Sequence, residues 1–276
     1  MPRAGAPVSL LVDYDGTISR LDVGDELLLR HVTDTTAMAR QDAAYDAGRI
    51  GSRELMRWDM DVLPRDPRLL RREASEMEQD GHFPALVRAA RAAGAAVEVV
   101  SDGLGFHVAP NLARLGLADV PVATTRNRLT GGGQGMSFPY GHPACFVCGT
   151  CKRERVRAHQ ALGRVVVYIG DGTSDRYAAF HADLVLAKDS LARFCDSAGW
   201  RYRAWRDFAE VTAWLAAALA DGTLPVGPAE VATWRIEHPS MAARVATPFI
   251  CGPEAWGPGR LRPALRPGLP DPPTLP

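Results

Sequence analysis

The sequence predicts an α/β fold, with an open parallel sheet covered by helices on both faces and a small helical insert after the first strand. Three observations carry this. Short apolar runs of strand length alternate with helical patterns, an order that builds parallel sheets with helical crossovers. The apolar runs are continuous, the mark of strands buried on both faces. The chain has 276 residues, 46% of them hydrophobic, enough for one α/β domain with a sizeable core plus something smaller.

Four strands are predicted, at Val8–Val12, Ala96–Val100, Val165–Ile169 and Leu184–Ala187. Helical patterns at Phe83–Ala93, Arg153–Leu162 and Arg176–Ala182 precede the last three. Residues 19–80 interrupt the alternation with helical spacing throughout. There Leu27, Leu28 and His31 share one face, as do Leu55, Met56 and Met60. This segment reads as a helical cap, with residues 1–18 and 81–222 forming the core domain. Residues 121–140 hold Gly131, Gly132 and Gly133 between extended pieces, and no Lys-Ser/Thr follows. That favours a β-hairpin over a phosphate loop. Residues 223–276 carry 12 of the 21 prolines. The expectation is a loosely attached, partly disordered tail.

Composition narrows the function. The formal net charge is zero, so neither nucleic acid nor an anionic membrane surface is an expected partner. No apolar stretch reaches the roughly 18 residues of a membrane span. The opening MPRAGAPVSLLVDYD meets an acid too early for a secretory leader. Five cysteines, an odd and clustered set, argue for a reducing compartment. The expected location is cytoplasmic.

The chemistry sits at strand ends. The first strand ends in Asp13 and Asp15, followed by Gly16 and Thr17. Two carboxylates this close repel unless a positive charge lies between them or one is protonated. The second strand ends with Ser101, Asp102 and Gly103; Lys152 opens the helix before the third strand; that strand ends GDGTSD, with Asp171 and Asp175. In a parallel sheet these ends converge on one crevice. Asp13 suits nucleophilic attack on phosphorus, and Asp15 suits general acid–base work. Hard oxygens from Asp13, Asp171 and a backbone carbonyl suit Mg²⁺. Ser101 and the N–H groups around Gly103 suit phosphate oxygens, and Lys152 supplies fixed positive charge.

VDYDGT, SDG, Lys152 and GDGTSD, in that order, resemble the four motifs of the haloacid-dehalogenase (HAD) phosphatase superfamily. The resemblance covers residues 8 to about 215. It implies a Rossmann-like three-layer α/β core and a type-1 helical cap of the phosphoserine-phosphatase-like branch. It also implies Asp13 as nucleophile, Asp15 as acid/base, and Mg²⁺ on Asp13, the Asp15 carbonyl and Asp171, with Asp175 in support. Thr17, Ser101, Asp102 and Gly103 are then expected to contact phosphate or substrate.

Within that branch, CGTCKRERVRAH, SDGLGFHVAPNLARLGL and LVLAKDSLARFC are similar to the methionine-salvage phosphatase of 2-hydroxy-3-keto-5-methylthiopentenyl-1-phosphate. Asp22, nine residues after Asp13, and Arg57 match a cap acid and a cap arginine of phosphoserine phosphatases. The expected activity is Mg²⁺-dependent hydrolysis of a small-metabolite phosphate. The alternatives are phosphoserine hydrolysis and a non-catalytic binding protein on the same fold.

His142, Cys145, Cys148 and Cys151 could hold zinc, but they crowd into ten residues with no second knuckle. Free thiols near the site mouth are the preferred reading. His107 is weighed as a substrate contact against a packing role.

Overall fold

The computed structural model describes residues 6–142, 145 and 147–244. Its centre is a six-stranded, all-parallel sheet. The strands are β1 (Val8–Val12), β2 (Ala96–Val100), β3 (Val122–Ala123), β6 (Val165–Gly170), β7 (Leu184–Ala187) and β8 (Arg203–Ala204), in the order β3-β2-β1-β6-β7-β8. The four predicted strands form its centre. The two additional strands lie at the edges. Each is two residues long, too short for an apolar run to announce it.

Side chains on successive strand residues point to opposite faces, and this builds two cores. Leu10, Val12, Val97, Val99, Val167 and Ile169 face one layer; Leu11, Val100, Val166, Tyr168 and Val185 face the other. The first layer is closed by α5 (Phe83–Ala92) and α10 (Phe208–Ala220), through Phe83, Leu86, Phe208 and Leu215. The second is closed by α7 (Lys152–Ala161), α8 (Arg176–His181) and α9 (Asp189–Ala198), through Val156, Ala178, Leu191 and Cys195. Burying each such aliphatic or aromatic side chain contributes about 1.5–3 kcal/mol.

Four helices lie between β1 and α5: α1 (Val23–His31), α2 (Thr35–Asp46), α3 (Ser52–Val62) and α4 (Pro67–Glu76). Each of α1, α2 and α4 starts at an aspartate, Asp22, Asp34 and Asp66, whose side chain accepts a first-turn N–H and so satisfies a donor the helix leaves unpaired. Leu27, Leu28, Met56 and Met60 are buried. His31, one turn on from Leu27 and Leu28 along α1, pairs with Glu73 on α4 at 2.6 Å.

The glycine-rich segment forms the expected hairpin. β4 (Arg126–Asn127) pairs antiparallel with β5 (Met136–Ser137), and residues 129–135 coil between them. Helix α6 (Val108–Arg114) follows the turn after β2.

The tail requires correction. Leu224, Val231 and Trp234 are buried, the last two on α11 (Val231–Glu237). Trp234 Nε1 donates to the Thr223 carbonyl at 2.7 Å, and Arg235 pairs with Asp183 at 3.2 Å. The short α12 (Met241–Arg244) ends the described chain. Aromatic anchors outweigh proline content in residues 223–244; the expectation for residues 245–276 falls outside the described residues.

Candidate active site

The reacting groups gather where β1 ends, between β2 and β6. Val12 is level with Val99 on one side and Ile169 on the other, so the next residues of all three strands emerge side by side. Chain connections diverge to left and right of β1, and such a switch point opens a crevice at the carboxyl ends. The Asp13 N–H still donates to the Ile169 carbonyl, at 2.9 Å, and so fixes the first acid to the sheet. A tight turn follows, in which the N–H groups of Thr17, Ile18 and Ser19 donate to the Tyr14 carbonyl. Gly16 takes a left-handed φ of 71° there, and a Cβ at this position would overlap the Asp171 carboxylate. Glycine is required on both counts.

Lys152, 3% exposed, uses all three donors on this site. Its Nζ lies 2.7 Å from Asp13 Oδ1, 2.6 Å from Asp175 Oδ1 and 2.9 Å from Ser174 Oγ. Burial alone would lower its pKa, but Asp13 and Asp175 raise it and keep the ammonium charged. Burial, together with Asp175, pushes the Asp13 carboxyl upward, and Lys152 opposes this. Asp171 rises to about 7 through burial and Asp175, with Thr17 pulling it back. One lysine thus faces more negative charge than it can neutralise.

Asp15 lies across the crevice. Its Oδ1 accepts the Val23 N–H at 3.2 Å and its Oδ2 the Ser101 hydroxyl at 3.3 Å. Burial and neighbouring Asp22 raise its pKa well above the usual carboxylate range. Burial raises both acids of the first motif, but their contacts differ: Asp13 touches the Lys152 ammonium, while Asp15 is held by a hydroxyl and a backbone N–H.

The donor set fits a divalent metal. Carboxylate oxygens of Asp13, Asp171 and Asp175 lie within 4.8 Å of one another, the one such group among the described residues. The oxygens are hard ligands of the kind that Mg²⁺ and similar ions take. Asp175 is nevertheless a positioning residue. Its Oδ1 accepts from Lys152 and from the Tyr168 hydroxyl (2.5 Å); its Oδ2 accepts the N–H groups of Asp171 and Gly172, both at 2.9 Å. Its acceptor sites are filled by protein donors, and Asp13 and Asp171 keep oxygens free to face the crevice.

Thr17 donates to Asp171 Oδ1 at 2.5 Å and so orients that acid. Asp102 accepts the Thr150 N–H and the Ser52 hydroxyl, both at 2.7 Å, and so joins the turn after β2 to the helical insert. Ser101 and Gly103 stand beside Asp15; the Gly103 N–H donates to Ser101 Oγ at 3.3 Å, and a Cβ on Gly103 would overlap the Asp15 carboxylate. Asp22 lines the cavity. Arg57 does not: it is exposed, with its guanidinium 5.1 Å from the Phe138 ring centroid. Its register on α3 turns it to the hairpin.

His107 packs against Tyr14 and Phe106, with ring centroids 5.3 Å apart in both cases, and burial lowers its pKa to about 3. It lies outside the cavity lining. Burial pushes the Cys148 thiol up, and that of Cys151 up to about 11. Among the described residues, no three of His142, Cys145, Cys148 and Cys151 bring ligand atoms within 4.8 Å.

Sequence reasoning missed several residues. Ser174 sits inside GDGTSD but was given no role, and Tyr168 looked like one more apolar strand residue. Ser190, which donates to the Asp171 carbonyl at 3.0 Å, follows Asp189, the one described non-glycine residue with positive φ (47°). Ser52 carried no signal, because its partner is fifty residues away.

A parallel sheet with its switch point beside β1, an aspartate pair there, a lysine and a second acidic loop define a class: α/β hydrolases with an acidic site at the carboxyl ends of the strands. The chain belongs to the haloacid dehalogenase-like hydrolase family, whose profile matches residues 10–179.

Similar proteins include the 2-hydroxy-3-keto-5-methylthiopentenyl-1-phosphate phosphatase of Exiguobacterium sibiricum, 30% identical over 131 residues. That match covers 47% of this chain and 59% of the relative. A protein of the same name from another Exiguobacterium strain is 25% identical over 213 residues, covering 75% and 96%. The fold is similar to a phospho-aspartyl intermediate analogue of phosphoserine phosphatase (TM-score 0.54, 17% identity, 75% of this chain and 97% of the other). It also resembles a probable phosphoserine phosphatase from Vibrio cholerae (TM-score 0.56, 18% identity, 81% and 69%). No helix among the described residues is long and apolar enough to cross a membrane.

Proposed function

We propose that this protein is a Mg²⁺-dependent phosphomonoesterase acting on a small metabolite through an aspartyl-phosphate on Asp13. The observation that carries this is the division of labour at the end of β1. Asp13 is held 2.7 Å from the Lys152 ammonium, and burial raises the pKa of Asp15 across the crevice. Mg²⁺, held by Asp13, Asp171 and the Asp15 carbonyl, would supply charge neutralisation for an approaching phosphate dianion.

An oxygen of Asp13 attacks phosphorus as the bond to the leaving oxygen breaks, and Asp15 gives that oxygen its proton. Water then attacks phosphorus, Asp15 takes back a proton, and Asp13 is released with inorganic phosphate. Lys152 favours the ionised form of Asp13 before attack and after release, and Thr17 and Ser190 keep Asp171 aimed at the crevice. The insert helices cover the site and limit water.

Hydrolysis of p-nitrophenyl phosphate with Mg²⁺, its loss with EDTA and its loss in Asp13→Asn test the reading together. Full activity in Asp13→Asn would sink it. The complete set of reacting residues argues against a non-catalytic binding role.

The relatives' name puts an enol or keto phosphate on the substrate panel. Phosphoserine is a second reading; Asp22 in the cavity wall suits either family, and Arg57, which faces away, weakens the phosphoserine match.

A further inference from the structure

The wall that faces Asp13 from the helical insert is acidic. Asp22, Asp25, Asp42, Asp46 and Asp59 line the same cavity of about 600 Å³ that opens on the nucleophile. Among the described residues, the lysine or arginine side chains in that lining are Lys152, already bound to Asp13 and Asp175, and Arg20, 3.5 Å from Glu78. Among the described residues none of the five acids forms an ion pair.

Asp59 is the sharpest feature. It is 7% exposed, and its Oδ1 is buried with no hydrogen-bond partner among the described residues. A buried carboxyl oxygen without a donor is rare in folded proteins and destabilising. Burial and the charges of Asp25, Asp22 and Asp42 push its carboxyl upward, and Asp25 rises to about 7. A cationic group bound among them relieves both the repulsion and the missing hydrogen bond.

The geometry spreads this charge. No three of these acids bring oxygens within 4.8 Å of one another, whereas Asp13, Asp171 and Asp175 do. A metal ion needs converging ligands; an organic ammonium on a carbon chain does not. Leu55 and Met56 in the same lining offer apolar surface to such a chain.

We propose that the cavity selects phosphate monoesters whose leaving group carries an N–H-bearing ammonium, an aminoalkyl phosphate, with Asp59 as the specificity-determining residue. This rests on the phosphomonoesterase reading and deepens it. The leaving group in the relatives' name contains no nitrogen, so the acidic wall would separate this chain's substrate from theirs.

The test compares kcat/KM for 4-aminobutyl phosphate, its neutral isostere pentyl phosphate, 4-carboxybutyl phosphate, choline phosphate and p-nitrophenyl phosphate, with Mg²⁺. The aminoalkyl ester should exceed the pentyl ester by about 10- to 100-fold, the yield of one charged hydrogen bond with its ion pair. The carboxylate should be poorest, and choline phosphate, which has no N–H, should fall below the aminoalkyl ester. In Asp59→Asn the aminoalkyl-to-pentyl ratio should collapse toward one. Asp42→Asn, on a helix with no buried residue, should lower it in part and serves if Asp59→Asn does not fold.

Turnover of p-nitrophenyl phosphate with no preference for the amine, or a preference that survives in both variants, overturns the proposal alone. No turnover of any ester overturns it together with the phosphatase reading.

Discussion

Ser52 Oγ, in the first turn of α3, lies 2.7 Å from Asp102 Oδ2 in the turn after β2. The same hydroxyl accepts the Gly149 N–H at 3.1 Å, and Asp102 Oδ1 takes the Thr150 N–H. One serine therefore ties the acidic wall of the cavity to the strand ends that carry the chemistry. Ser52→Ala removes a hydrogen bond to a half-buried acid, worth about 1.5–3 kcal/mol to the docked helix. Hydrogen exchange of the first-turn amides of α3 should speed up, and KM for p-nitrophenyl phosphate should rise. Unchanged exchange would mean that the helix is held elsewhere.

Asp13 should trade stability for reactivity. Asp13→Asn keeps the shape but removes one of the charges crowding Lys152. Activity should fall by about 10³-fold or more. The Tm without metal should be no lower than that of the parent, because repulsion from Asp171 and Asp175 is relieved. A large drop in Tm would show that the Asp13–Lys152 pair stabilises the fold.

Lys152 carries the opposite sign. Lys152→Met leaves buried carboxylates without their cation, at a cost of about 3–5 kcal/mol. Lys152→Arg should not restore it, since a planar guanidinium cannot reach three acceptors at 2.6–2.9 Å around one nitrogen. Urea unfolding measures both, and added Mg²⁺ should recover part of the loss.

His181 should make the protein acid-labile. Its Nε2 is buried without a hydrogen-bond partner among the described residues, and burial, with Arg153 and Arg157, lowers its pKa to about 3. The unfolded chain binds this proton below about pH 6.5 and the folded chain does not. Stability is therefore full above that pH and falls by about 1.4 kcal/mol per unit until the folded value is reached. Unfolding free energies at pH 7.5 and 5.5 should differ less in His181→Gln than in the parent; equal slopes would remove His181 from the account.

Trp234 should anchor the segment after α10. Trp234→Ala empties a buried site and strands the Thr223 carbonyl, at about 3–5 kcal/mol. A Tm within a degree or two of the parent would return residues 223–244 to the status of a loose appendage.

The sequence by itself determined the sheet centre, the two-sided burial and the crevice. All three follow from local facts: continuous apolar runs must be buried on both faces, and acids placed directly after them must emerge at one edge. Asp13, Asp15, Lys152 and Asp171 were legible for that reason. Tertiary structure decided the rest. It gave Asp175 to Lys152 and two backbone N–H groups, Thr17 to Asp171 and Asp102 to Ser52. It turned Arg57 toward Phe138 and buried Trp234 in a proline-rich stretch. A hydrogen bond between residues fifty or more apart leaves no periodic trace, and the face a helical residue presents depends on a docking angle that no local pattern encodes. The acidic wall around Asp59 exists for the same reason: its members come from separate helices and become one surface only when those helices pack.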